Sequence, residues 1–284
     1  MNIIDFPNEI MIEVTNHCNN KCFFCGSTVS KRPRSFINKE LALRLIDDAY
    51  TLGCRKISFH GMGEPFLCKD LSSYVKSAKA IGYEYIYLDT NGILASPGTV
   101  EPVLDAGLDS LKFSIHAATP ETYYKITNND SFDKVYNNAK YIYDYINKHH
   151  LNCRTIAYFA LSTINETEVD KFKEMMQDCF SEVWVMPIHN GSGVKPENKE
   201  YAVDTSKFEP RNLWPCFELY NRIIINCEGN AIACCTDWTG ELVYGDAKTE
   251  SLYSIWHNDE ITRLRLLHQS ADTLPLICKN CMGL

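Results

Sequence analysis

The sequence predicts an α/β fold: a partial (β/α)6, TIM-like barrel of parallel strands, followed by a small β-hairpin/helix domain. Apolar strand-like runs alternate with helix-periodic segments six times over about 180 residues, which implies parallel strands with helices outside. Six units fall short of the eight that close a barrel, so this one is open. A polar stretch with glycines and prolines then breaks the pattern, and the remainder is short and cysteine-rich.

Residues 9–15 (EIMIEVT) read as the first strand and lead straight into a loop of cysteines. Asn38 is placed to cap a helix over 39–52, where Leu41, Leu45, Ala49 and Leu52 recur at helical spacing. Strand 56–60, helix 71–80, strand 85–89, a short helix near 100–106 and strand 110–115 follow. Thr119-Pro120 offers a cap with proline at the first helical position, opening helical structure that resumes over 132–147. Strand 154–159 leads to Asn165-x-x-Glu168, a capping-box-like start for a helix reaching about residue 178, and strand 182–186 ends the series. Residues 1–189 are therefore assigned to the barrel, 190–213 to a linker or substrate-covering loop, and 214–284 to the second domain. In the last, 222–226, a turn at 228–230 and 231–233 predict a hairpin, and 251–268 an amphipathic helix through Leu252, Ile255, Trp256, Leu264 and Leu267.

Composition narrows the function. A formal net charge of −8 argues against a nucleic-acid or anionic-membrane partner, which call for a basic surface. No signal peptide and no apolar run long enough to span a bilayer is present, so a cytoplasmic location is expected. Thirteen cysteines without a secretion signal point to metal ligation rather than disulfides.

Cys18, Cys22 and Cys25 stand in a Cys-x3-Cys-x2-Cys loop that suits an iron–sulfur cluster. A [4Fe–4S] cluster normally takes four cysteines, so three leave one iron open to a small molecule. The alternative is a Cys3His zinc site with His17, although adjacent residues fold awkwardly onto one metal. After the second strand comes His60-Gly61-Met62-Gly63-Glu64-Pro65, whose glycines permit close backbone approach to a ligand and whose carboxylate can accept from an ammonium. His60 itself is expected to be structural. Near the end of the chain Cys216, Cys234, Cys278 and Cys281 form a four-thiolate set, with Cys235 competing for the place of Cys234 and Cys227 a spare in the hairpin. A four-cysteine zinc site is the alternative there. Cys54, Cys68, Cys153 and Cys179 have no partner at ligand spacing and are expected to pack in the core.

The first trio resembles the signature of the radical S-adenosylmethionine (radical SAM) enzymes, and the turn at 61–65 resembles their Gly-Gly-Glu-Pro segment with Met62 in the second place. Cys216, Gly229 and Cys234 resemble the opening of the SPASM domain, here in its shorter twitch form. The resemblance covers about residues 9–281. It implies S-adenosyl-L-methionine (SAM) and two [4Fe–4S] clusters as cofactors. It also implies a partial barrel with its chemistry at the carboxyl ends of the strands, cofactor contacts from Phe24, Gly61, Met62, Gly63, Glu64, Asn91, Ser114 and His116, and an external reductant such as flavodoxin or ferredoxin. The reaction implied is reductive cleavage of SAM followed by hydrogen-atom abstraction from the substrate, the second cluster accepting an electron. A two-electron dehydrogenation of a small polar molecule, such as a sugar or cyclitol, fits best, with an amino-cyclitol dehydrogenase as the nearest analogue. Peptide crosslinking or epimerisation is the rival, set back by a first strand that starts at residue 9 and leaves no room for a leader-binding domain. A non-catalytic electron carrier is a third reading, opposed by the turn beside the open iron. Asp89, His116, Tyr158 and His189 lie near predicted strand ends and are candidates for a catalytic base.

Overall fold

The computed structural model describes residues 5–189, 191–204, 206, 208, 216–270 and 273–282. Strands β1 (Glu9–Ile12), β2 (Lys56–Ser58), β3 (Tyr85–Thr90), β4 (Ser110–Ser114), β5 (Arg154–Leu161) and β6 (Glu182–Pro187) appear where the sequence places them. Between them run helices α1 (Lys39–Thr51), α2 (Leu71–Ile81), α3 (Pro97–Asp105), α4 (Pro120–Thr127), α5 (Phe132–His149) and α6 (Val169–Met176). All six strands are parallel and neighbour one another in chain order, the connectivity of a (β/α) barrel with an open edge at β6.

The local causes are visible. Asn38 caps α1 by accepting from Leu41 N at 2.9 Å, and Thr119 caps α4 by accepting from Thr122 N at 3.3 Å. On α1 the residues Leu41, Leu45, Ile46 and Ala49 turn inward against Ile10, Ile57 and their neighbours. Each such Leu or Ile contributes about 1.5–3 kcal/mol on full burial. Cys54, Cys68, Cys153 and Cys179 are buried as expected, and among the described residues the cysteines are free thiols.

After the barrel come α7 (Glu218–Asn221), β7 (Arg222–Ile225), β8 (Asn230–Ile232), β9 (Val243–Asp246), α8 (Leu252–His257), α9 (Asp259–Ser270) and α10 (Leu276–Met282). The predicted hairpin is β7–β8, paired antiparallel. Its placement is new: β7 lies parallel to β1, from Glu9 opposite Arg222 to Ile12 opposite Ile225, so barrel and hairpin share one nine-stranded sheet.

Two expectations are corrected. Asn165 and Glu168 form no capping box. Asn165 Oδ1 accepts from Ser162 N, while the Glu168 carboxylate reaches across to Ala118 N and to the hydroxyls of Thr119 and Thr122. The helix expected over 251–268 is two helices, because Asn258 starts a new one by accepting from Ile261 N at 3.1 Å and donating to Tyr244 O. The stretch 190–213 lies partly outside the described residues. Within it, 191–193 and 196–201 are short 3-10 turns, and buried Asn198 donates to Phe24 O and His189 O. No helix among the described residues is long and apolar enough to cross a membrane.

Candidate functional site

The cysteine loop leaves β1 at the carboxyl end of the sheet and is pinned to α4, with Lys21 N donating to Thr127 O and Phe23 N to Ile126 O. Cys25 N closes a turn onto Cys22 O, and Asn20 N and Ser27 N point at the sulfurs of Cys18 and Cys25, each at 3.5 Å. Burial pushes the Cys18 thiol up to about 11 and Cys22 well above the ordinary thiol value. Iron therefore has to displace protons on binding there. Buried Asn20, beside Tyr123, has neither amide atom in a normal hydrogen bond. Among the described residues no three His, Cys, Asp or Glu side chains converge on a point as a single metal ion requires. Zinc draws its donors to about 2.0–2.3 Å. Beyond burial, Cys25 and Cys18 push the Cys22 thiol up and Cys25 pushes Cys18 up, so the three sulfurs are close neighbours, and a donor set that is clustered without converging fits a multi-iron core.

The Gly61–Pro65 turn is pressed against the root of this loop. A Cβ on Gly63 would lie 2.3 Å from Thr15 O and 2.5 Å from His17 O, and a Cβ on Gly61 would lie 2.6 Å from the Glu13 side chain. Glycine is needed at both positions for that approach. Glu64 N donates to His17 O at 2.7 Å. The Glu64 carboxylate accepts from Phe66 N, Thr90 Oγ1 and Asn91 N at 2.7–3.1 Å, so its lone pairs are largely taken by the protein. Burial raises it to about 7. Its main visible work is to lock the ends of β2 and β3 together. Met62 is buried, and its N–H donates to Glu13 Oε2 at 2.9 Å.

At the rim, Asn91 Nδ2 donates to Asn19 Oδ1 at 2.7 Å and points at Cys18 Sγ at 3.8 Å. Ser114 ends β4, half-buried, opposite Tyr158 of β5. His116 is buried with φ at 64° and stands edge-on to Phe24, ring centroids 5.2 Å apart. Its Nδ1 accepts from Ala160 N at 3.0 Å, and burial lowers its pKa to about 3, so it is a neutral ring with the proton on Nε2. Asn165, which donates to His116 O, helps hold the left-handed turn.

The second set of cysteines comes together. Cys216, Cys234, Cys278 and Cys281 line one cavity of about 30 Å³ with Ser192, Leu219, Ala233, Leu242, His268 and Ile277. Cys235 is not part of that lining: it packs with Met11, Ile224 and Ile232, although its thiol is within hydrogen-bond reach of the Cys234 thiol. Cys227 lies elsewhere, 3.2 Å from Ser35 Oγ. His189 belongs to this neighbourhood rather than to the barrel interior: its Nε2 is 3.5 Å from Cys281 Sγ, and its Nδ1 accepts from Gly191 N.

Inside the barrel lies a larger cavity of about 530 Å³. Glu9, Lys56, His60, Asp89, Lys112 and Arg222 give it charged and polar walls, and Gly61 and Cys235 border it. Asp89 is there as expected. Tyr158 stands under Lys112, whose Nζ is 5.2 Å from its ring centre. Sequence reasoning missed three residues of this region. Glu13 is buried in an ion pair with Arg32 at 2.5 Å and also accepts from Cys227 N, tying the Gly61–Met62 turn to the hairpin. A carboxylate directly continuing the apolar run of a buried parallel strand is out of pattern, and marks Glu13 in the sequence. Trp238 packs so tightly on Gly26 and Gly191 that a Cβ on either would meet its ring at 1.8 and 2.2 Å. His60, read as structural, is on the cavity wall.

Comparison with known proteins agrees with this architecture. Residues 12–176 match the family model described as Radical SAM superfamily, and residues 216–282 match SPASM, an iron–sulfur cluster-binding domain. A probable GTP 3′,8-cyclase of Saccharolobus islandicus is 32% identical over 183 residues, 64% of this chain and 57% of the relative's length. The chain thus spans little more than half of that relative. An S-adenosyl-L-methionine-dependent 2-deoxy-scyllo-inosamine dehydrogenase of Niallia circulans is 23% identical over 282 residues, covering 96% of this chain and 91% of the relative. Among solved structures, BtrN in complex with AdoMet and 2-DOIA superposes with a TM-score of 0.65 at 22% identity, over 99% of this chain and 94% of BtrN. Streptococcus suis SuiB bound to its precursor peptide SuiA gives 0.70 at 16%, over 91% and 66%.

Proposed function

The chain belongs to the radical SAM superfamily, and on that premise we propose that it oxidises a small polar molecule, such as a sugar or cyclitol, by two electrons. One observation carries this reading. The barrel cavity touches the cofactor turn through His60 and Gly61 and the second cysteine site through Cys235, the neighbour of Cys234. A substrate seated there has a hydrogen-atom acceptor on one side and an electron acceptor on the other.

We assign Cys18, Cys22 and Cys25 to the cluster that binds SAM, and Cys216, Cys234, Cys278 and Cys281 to the auxiliary cluster. Cys235 is left out because it faces Met11 and the barrel cavity. Once bound, SAM and its cluster supply one-electron reductive cleavage and an abstractor of substrate hydrogen. The protein's part is placement. Gly61, Met62 and Gly63 offer backbone to the methionine end, Glu64 and Asn91 hold that backbone in place, and Phe24 with neutral His116 and Ser114 form the wall for the adenosine. The Asn198 segment covers the loop from outside, excluding water. An external one-electron donor such as flavodoxin or ferredoxin serves the first cluster. The similarity to the inosamine dehydrogenase over nearly the whole chain supports the dehydrogenase reading.

The test is 5′-deoxyadenosine formation by anaerobically reconstituted protein given SAM and dithionite, with 2-deoxy-scyllo-inosamine or a protein-free metabolite extract. Stimulation and an oxidised product are expected. Cleavage indifferent to both additions identifies a peptide or protein substrate instead, and absence of cleavage in cluster-loaded protein refutes the enzymatic reading.

A further inference from the structure

We infer that His60 and Asp89 form a catalytic dyad that seats the reacting hydroxyl of the substrate and takes its proton at His60 Nε2. The inference rests on the dehydrogenase reading and deepens it, because that reading leaves the proton without a destination.

Both residues line the barrel cavity at the carboxyl ends of adjacent strands, His60 just before Gly61 and Asp89 near the end of β3. His60 Nε2 and Asp89 Oδ2 stand 3.9 Å apart. That is too long for a hydrogen bond. A substrate hydroxyl about 2.8 Å from Nε2 donates its single proton there, and the Asp89 carboxylate stands close enough to face the imidazolium that results. The opposite nitrogen, Nδ1, is shut away from solvent with no hydrogen-bond partner, so Nε2 is the edge offered to the cavity. Asp89 is anchored from the other side by Lys112 Nζ at 2.6 Å, and the His60 ring rests against Tyr87.

The electrostatics agree. Burial lowers His60 below the ordinary histidine value, and Lys112 and Arg222 act in the same direction, while Asp89 and Glu9 oppose them. His60 is therefore a neutral base at pH 7, and Asp89, whose burial is outweighed by the positive charge around it and which keeps its pairing with Lys112 when the imidazole is neutral, is a carboxylate. In the step, the carbinol C–H hydrogen atom leaves to the deoxyadenosyl abstractor. The O–H proton goes to His60 Nε2, the remaining electron goes to the oxidised auxiliary iron–sulfur cluster, and a C=O bond forms. The imidazolium so made faces the Asp89 carboxylate. Two hydrogens leave the substrate, one as an atom and one as a proton plus an electron.

Two arms test this on the cluster-loaded protein. In the first, diethyl pyrocarbonate, which acylates neutral imidazole, is applied anaerobically from pH 5 to 8 and His60 labelling is read by peptide mass spectrometry. The dyad requires labelling with a midpoint below that of free histidine. Asp89→Asn must move the midpoint lower and Lys112→Met higher, since the two neighbours act in opposite senses. An unlabelled His60, or midpoints that ignore both variants, overturns the dyad. In the second arm, His60→Gln is assayed with 2-deoxy-scyllo-inosamine or with extract. The ratio of oxidised product to 5′-deoxyadenosine is expected to fall by about 100-fold or more, the usual worth of a general base. An unchanged ratio overturns the proposal. If neither addition stimulates the unmodified protein, the small-molecule reading is what fails, and the labelling arm decides the dyad.

Discussion

The loop after β1 carries three thiols in polar surroundings, whereas the cavity beside α10 carries four thiols in largely apolar ones. Around the first stand Asn19, Asn20, Asn91 and the glycines of the 61–65 turn. Around the second stand Leu219, Ala233, Leu242 and Ile277. A missing thiolate and nearby hydrogen-bonding groups make room for a ligand that is both charged and polar. On the proposed assignment, four thiolates in an apolar shell would exclude further ligands and leave electron transfer as the available chemistry, with the shell tuning the potential. The comparison teaches that ligand count and surroundings have to be read together.

The sharpest way to break that contrast is Cys22→Ala. It is expected to remove the first cluster's iron and lower 5′-deoxyadenosine formation by more than about 100-fold, beyond what outer-shell changes cost a metal site. Iron analysis and product chromatography check it. Cys278→Ala is the mirror experiment: product formed per deoxyadenosine should collapse, whereas equal loss of both would assign the second site a structural role. Cys234→Ala and Cys235→Ala then sharpen the geometry, because the first should cost about one cluster's iron and the second none by colorimetric assay.

A smaller effect is expected at the joint between the two sites. Gly26 follows Cys25, and its face is covered by Trp238 from the auxiliary side, whose carbonyl also accepts from Ser30 Oγ. Gly26→Ala forces the ring aside and should destabilise by about 1–3 kcal/mol, as overpacking does. A lowered Tm tests it, and an unchanged Tm would mean the two sites are not mechanically joined there.

The smallest concerns pH. His116 is lowered to about 3 by burial, so the folded state binds fewer protons than the unfolded chain between the ordinary histidine value and about 3. Its contribution to stability is complete above that ordinary value and is lost as pH falls through this window, at up to about 1.4 kcal/mol per pH unit. His116→Asn, whose side chain tolerates the positive φ, should flatten the slope of Tm between pH 7 and 5.5. An unaltered slope would contradict the neutral state assigned to the buried ring.

Much of this was legible in one dimension. The six strands were readable because β-branched and aromatic runs alternate with helical periodicity, and Asn38 and Thr119 cap as their positions suggest. The capping box at Asn165 was misread because Glu168 found better donors at Ala118, Thr119 and Thr122, far off in sequence. His60, read as structural, lines the barrel cavity. A histidine at a strand end looks the same whether it faces the core or a cavity, and only the positions of Asp89 and Lys112 on neighbouring strands tell the two apart.

The family, the series of barrel strands and the cysteine loop are written in local sequence, because a ligand loop's spacing and a strand's period are properties of adjacent residues. Tertiary structure decided what no spacing contains: that β7 joins β1, that Cys234 rather than Cys235 faces the four-thiol cavity, and that Glu13 meets Cys227 N across 214 positions. Those outcomes depend on which way a side chain turns once distant segments are packed. Packing is set by the sum of many weak contacts rather than by any local pattern.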